Sequence, residues 1–209
     1  MKEYYCTKIN KKIDIDGNAD KEEWRTAQAV HLVDTETGYA PGQPTWFKML
    51  WNDHYLYICF MCADNCIMAS MTEYNDKLYE EEVVEVFIDD DTDKKTYIEV
   101  EVNPLNAVLH YCIHNDLRNG LIRFARVDKA IETAVFRDDE KGIWSVEIAI
   151  PFTEFITARN LPPQKGDRWH MNLYRIDRTA SKNDEFSAWS PTGKINFHMP
   201  EKFGRLVFE

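Results

Sequence analysis

Short apolar runs, many of them alternating with polar residues, recur along the whole chain, and few are long enough to be helices. They fall at 11–15, 29–33, 45–51, 55–62, 83–89, 96–103, 107–113, 131–137, 143–150, 169–175 and 205–208. Side chains on a strand point alternately to its two faces, so an alternating run covers a core with one face. Turn signals such as WNDH (51–54), NPLN (103–106), DDEKG (138–142) and PPQKG (162–166) separate many of the runs. Two short helices are expected. One starts at Asp20, with Glu23 three residues on as in a capping box, and the other is PFTEF (151–155). Many short strands with few helices predict an all-β fold, an antiparallel β-sandwich of jelly-roll or immunoglobulin-like type. With 209 residues, 44% of them hydrophobic, and no repeat or linker, 1–209 reads as a single domain.

One of these strands is unusual. Seven of the twelve residues from Glu80 to Asp91 are acidic and none is basic, so this stretch supplies −7 of a net charge of −11. Val84, Val86 and Ile88 face one way, toward a core, and Glu85, Phe87 and Asp89 the other. After the DTDKK turn, Ile98, Val100 and Val102 face the core while Tyr97, Glu99, Glu101 and Asn103 share the opposite face. Pairing Asp89 with Tyr97 sets Glu85 opposite Glu101, and like charges so placed cost up to about 1 kcal/mol. Glu80–Glu82 and Asp89–Asp91, near the strand ends, are expected to be solvated. Glu85 and Glu101, mid-strand among aromatics, need donors: an arginine, a cation or ligand hydroxyls. Arg175 is a candidate partner. Sugars suit such a place, because vicinal hydroxyls donate to carboxylates while a pyranose C–H face packs on an aromatic ring.

The charge repels nucleic acid and anionic membranes, and no apolar run approaches the roughly 20 residues that span a bilayer. The opening MKEYYCTKIN has no apolar core to serve as a secretory signal, and five cysteines are too few for a disulfide framework. A cytoplasmic location is therefore expected, or a secreted one if a leader has been removed. Cys59-x-x-Cys62-x-x-x-Cys66 looks like a metal cluster, but Cys59 and Cys62 point to opposite faces of a strand, so buried thiols are expected. DGNAD (16–20) begins like a calcium loop, then has Lys21 and Ala27 where an EF-hand needs Gly and Glu. Trp24, Trp144, Trp169 and Trp189 are expected in the core, with Trp189 the nearest to an exception.

IDGNADKEEW (15–24), LWNDHYLYICFMCAD (50–64), YEEEVVEVFID (79–89), WSVEIAIPF (144–152) and AWSP…MPEKFGRLVF (188–208) occur in one order that resembles the family 9 carbohydrate-binding modules. The resemblance implies a β-sandwich that binds glucose- or xylose-type chain ends without catalysis, commonly with structural calcium and attached to xylanases or other glycoside hydrolases. It implies no required cofactor. In the family two tryptophans clamp the sugar; the matching positions are Tyr79 and Phe197, still aromatic but without the indole. The family's hydrogen-bonding acid matches Glu85, and its other polar ligands match Glu101, Asn103 and Tyr174, of which Asn103 keeps the residue type. Glu101 stands where the family has a basic residue, and Arg175 next door is expected to restore the balance. A calcium geometry other than the EF-hand could draw on Asp89, Asp90, Asp91 or Asp93, and the sequence assigns no metal ligands.

Three other readings compete. Glu85 and Glu101, as cross-strand neighbours, could serve as the paired carboxylates of a retaining glycoside hydrolase. Alternatively the sandwich has lost sugar binding with its tryptophans. An electron-transfer role would draft Met61 and His110 as haem ligands, although nothing in the pattern distinguishes them.

Overall fold

Strand pairing satisfies most of the backbone, and a computed structural model describes it for residues 1–118, 120–180 and 183–209. The strands are β1 (Glu3–Lys8), β2 (Val30–His31), β3 (Val33–Asp34), β4 (Thr45–Trp51), β5 (Tyr55–Ala63), β6 (Val83–Asp89) and β7 (Thr96–Val102). They continue as β8 (Val108–Asn115), β9 (Leu121–Ala125), β10 (Glu132–Asp138), β11 (Ile143–Pro151), β12 (Arg168–Asp177), β13 (Glu185–Ala188) and β14 (Gly204–Phe208). No α-helix occurs among the described residues; Glu23–Thr26, Leu78–Glu80, Phe152–Glu154 and Pro200–Lys202 are 3₁₀ turns. Among the described residues no helix is long and apolar enough to cross a membrane.

The strands form the two layers of a β-sandwich. One is ordered β10-β11-β5-β4 and the other β14-β12-β6-β7-β8-β9. β1 joins them, pairing in parallel with β14 through residues 3–6 and with β4 through Thr7 and Lys8. The other strand pairings described are antiparallel. Between the layers, Val84, Val86, Ile88, Ile98, Val100 and Val102 meet Phe47, Met49, Ile58, Phe60, Val146 and Ile148. Each such side chain contributes about 1.5–3 kcal/mol when fully buried. All four tryptophans expected in the core are buried, Trp189 among them, packed against Phe47. Cys62 lies in the main core and Cys59 in a cluster with Trp24 on the outer side, so the two thiols do face apart. Cys66, by contrast, is exposed.

Several local expectations are corrected. Residues 11–15 are not a strand: Ile13 and Ile15 leave the sheet to pack with Trp24 and Tyr57 on its outer face. Asp20 caps nothing, and the turn begins at Glu23 without a side-chain cap. That segment is organised by the buried Glu147, which accepts from the amides of Asp16 and Gly17 at 2.9 Å and from Lys21 Nζ and Trp24 Nε1 at 2.7 Å. Gly17 is required there, because φ is +85° and a Cβ would come within 2.6 Å of the Val135 and Phe136 backbone. The acids expected to be solvated also divide. Glu82, Asp89 and Asp90 are buried, Asp90 accepting from the Thr157 amide and hydroxyl at 3.0 and 2.6 Å, while Glu80 and Asp91 are exposed.

Candidate functional site

The outer face of β6, β7 and β12 carries the polar groups. Glu85 pairs with Glu101 across β6–β7, and Tyr174 of β12 lies opposite Glu85 on the other side. This face is roofed rather than solvated: Glu85, Glu99 and Glu101 are 2%, 2% and 0% exposed. The roof is the 195–203 segment, Tyr79 in the turn that packs on β7, and Phe186. Phe197 stacks on Tyr174 at 4.1 Å and 8°, and the Tyr174 hydroxyl donates to the Phe197 carbonyl at 2.9 Å. His198 sits 5.1 Å from Phe87, its Nδ1 2.9 Å from the Tyr97 hydroxyl. Two contacts therefore fix Phe197, while Arg178 Nη2 donates to the Tyr79 carbonyl at 3.0 Å. Tyr79, Phe197, Glu85, Glu99, Arg123 and Arg178 line one pocket of ≈ 250 Å³.

Beneath it, one oxygen from each of Glu85, Glu99 and Glu101 lies within 4.8 Å of the others. Three carboxyls this close and this dry do not all ionise at neutral pH. Burial, then the neighbouring carboxyl of Glu99, pushes Glu85 well above the ordinary range, with Arg178 opposing. Burial, then Glu85 and Glu99, does the same to Glu101, and the Tyr79 amide opposes slightly without closing a hydrogen bond. Glu99 rises to about 7, chiefly by burial, with Arg123 opposing. Burial and Arg123 lower His198 to about 4, so it is neutral here.

The structure thus brings Tyr79, Glu85 and Phe197 together, with Glu101 under the floor and Tyr174 under Phe197. Asn103 lies outside the pocket lining. Its Nδ2 donates to the Met71 carbonyl at 2.8 Å, and its Oδ1 accepts from the Leu105 and Ala107 amides at 3.0 and 2.9 Å, which shapes the turn after β7. Arg175 does not neutralise Glu101. It lies opposite Val84, on the core face, and donates to Asp64 and Glu82 at 3.1 and 2.9 Å and to the Ala63 carbonyl at 2.7 Å. Adjacent strand residues face opposite ways, so Tyr174 and Arg175 could never share one site.

Sequence reasoning missed Glu99, Arg123, Arg178 and His198 as site residues. Alternation could have found two of them, since Glu99 shares a face with Glu101, and Arg178 continues the Tyr174–Ile176 face just past β12. Arg123 sits on β9, an edge strand with mostly exposed side chains and hence no alternation to read. Nothing in the sequence marks His198, which a loop delivers.

The residues that could hold the metal implied by the resemblance include a group apart from the pocket. Oxygens of Asp89, Asp91 and Asp93 also lie within 4.8 Å of one another, and the buried Asp89 Oδ1 has no partner among the described residues. These hard oxygen ligands at alternate positions fit a calcium ion. The His110, Asp128 and Glu154 group lies away from the pocket and already holds Arg126, 2.7 Å from Asp128 and 3.1 Å from Glu154.

Comparison with known proteins adds the following. The profile described as "Carbohydrate family 9 binding domain-like" matches residues 15–209. A Bacteroides uniformis protein assigned to carbohydrate binding superposes with a TM-score of 0.81 at 18% identity, covering 100% of this chain and 99% of that one. A family 9 carbohydrate-binding module from Caldicellulosiruptor kristjanssonii, solved with cellotriose, gives 0.71 at 17% identity over 100% and 94% of the two chains. The same organism's family 9 module with glucose gives 0.70 at 17%, over 100% and 96%. At these identities the likeness is one of fold. No curated protein matches the chain.

Proposed function

The chain belongs to the carbohydrate family 9 binding domain-like family, and on that premise we propose that it binds glucose- or xylose-type chain ends without cleaving them. One observation carries this: two aromatics, Tyr79 and Phe197, and the Glu85 carboxyl line one open pocket. Rings flanking a hydrogen-bonding group offer a pyranose its apolar face and its hydroxyls their partners. The C. kristjanssonii modules carry cellotriose and glucose, which names the first ligands to try. Like other modules of its kind, the chain would hold a glycan for a degrading enzyme, a xylanase for example, and the Asp89–Asp91–Asp93 turn would hold structural calcium.

The same geometry disfavours hydrolysis. A retaining pair needs one ionised nucleophile and one acid, both reaching substrate. Glu101 is fully buried, and both Glu85 and Glu101 are pushed toward the protonated form. Met61 alternates with the core residues Phe60 and Cys62 and so faces out of its layer, away from His110 in the other layer, and the two do not converge on one haem.

A glycan array followed by calorimetry on its hits tests the proposal. Tyr79→Ala removes a stacking face and should weaken binding by about 1 to 3 kcal/mol, roughly tenfold to a hundredfold, without matching loss of stability. An array without hits would mean that sugar binding has been lost along with the clamp tryptophans. Hits that Tyr79→Ala and Phe197→Ala leave unchanged would place the site elsewhere.

A further inference from the structure

Among the described residues, no N–H or hydroxyl donor reaches either oxygen of Glu101, Oε1 of Glu85 or Oε2 of Glu99, although all three residues are at least nine-tenths buried, which leaves a proton shared between Glu99 and Glu101 as their one internal partner. Leaving a buried acceptor unmade costs about 1–3 kcal/mol, and more where it carries charge. The nearby guanidinium groups do not close the gap. Arg178 is turned to Asp184 at 2.7 Å and the Tyr79 carbonyl at 3.0 Å, and Arg123 to His198 at 3.3 Å. We propose that Glu85, Glu99 and Glu101 hold a divalent cation, calcium by its chemistry, in the pocket floor, and that vicinal hydroxyls of the bound sugar complete its coordination.

The second half rests on the sugar-binding reading; the first stands on the carboxyls alone. Calcium takes oxygens at about 2.3–2.6 Å, so ligands on opposite sides of one ion are about 5 Å apart. Carboxyl oxygens within 4.8 Å of one another fit around such an ion. Calcium takes about six to eight oxygens, more than three single carboxyl oxygens supply. Glu85 and Glu99 both line the pocket, so the remaining positions open toward Tyr79 and Phe197, where a sugar would lie. Three shared protons are the rival way to quiet the cluster, and they would leave no affinity for an ion.

The test uses metal-free full-length protein, titrated with calcium chloride by calorimetry near neutral pH, without sugar. Wild type should bind an ion whose affinity falls at least about tenfold in Glu101→Gln and in Glu99→Gln, two near-isosteric changes that guard against a folding failure in one. Asp91→Asn with Asp93→Asn should leave that ion bound. Cellotriose should then bind wild type at least about tenfold more weakly in EDTA. Calcium binding that both glutamine variants retain in full would overturn the site, as would wild-type binding that vanishes with the aspartates. Cellotriose binding indifferent to EDTA would overturn the bridging role alone. An ion bound at the site with no glycan bound under any condition would contradict the sugar reading and leave the cation site standing.

Discussion

Two groups of three buried carboxyls, which share the β6 segment through Glu82 and Glu85, are built differently. Asp64, Glu82 and Asp177 surround Arg175 between the layers at 3.1, 2.9 and 3.3 Å. Glu85, Glu99 and Glu101 gather on the outer face of β6 and β7 with no arginine among them. Glu82 and Glu85, or Arg175 and Tyr174, look interchangeable in the sequence, yet they belong to opposite sides of a sheet. The inner group holds its own cation, which also lies 5.9 Å from the Trp144 ring, although Arg175 Nε and Asp177 Oδ2 make no hydrogen bond among the described residues. The outer group is unfinished and opens to solvent through a pocket. An acid cluster with its own cation is architecture, and one without it is a place for something to arrive.

Removing the cation from the complete group should have the largest effect. Arg175→Met leaves three carboxyls without their counter-charge, and breaking such a buried arrangement costs about 3–5 kcal/mol. Urea denaturation would show it; a loss under 1 kcal/mol would mean that the group is not held by its arginine. The outer group should instead appear as a pH effect. Glu99 titrates at about 7 in the fold, above the ordinary carboxyl value, and Glu85 and Glu101 are raised further. The folded state then holds more protons than the unfolded one, so this stability is present at low pH and lost as pH rises through those values. Thermal melts of the metal-free protein should fall between about pH 5 and pH 8, while Glu101→Gln, which removes one of the titrating carboxyls, should flatten that slope. Glu82, at about 8, and Asp177, at about 6, add to the wild-type slope and remain in that variant.

Asn103 sharpens the contrast from the other side. Its amide is committed to the turn, so Asn103→Ala should cost about 1–2 kcal/mol of stability and leave sugar affinity nearly unchanged. An affinity loss as large as that of Tyr79→Ala would restore it to the site. Glu80, exposed and at the head of the acid run, should change stability by under about 0.5 kcal/mol when made Ala.

What the sequence made legible follows from alternation. The Val84–Ile88 and Ile98–Val102 faces, the Glu85–Glu101 pair and the placing of Tyr79 with Phe197 all came from period two or from motif order. Where backbone demands were local but side chains were exposed, as in β9, or the element was short, as in β13, no pattern existed to read. Arg175 falls on the core face because it alternates with Tyr174, and its charge match to Glu101 does not specify a face. The burial of Glu82, Asp89 and Asp90 was hidden because their partners, Arg175, the Lys94 amide and Thr157, are fixed by the fold and not by composition.

A crystal structure of the chain grown with cellotriose, in calcium and again in EDTA, tests the central claim most directly. We expect a sugar ring between Tyr79 and Phe197, with hydroxyls directed at Glu85. A sugar bound on any other face, with the Tyr79–Phe197 pocket filled only by water, would contradict it.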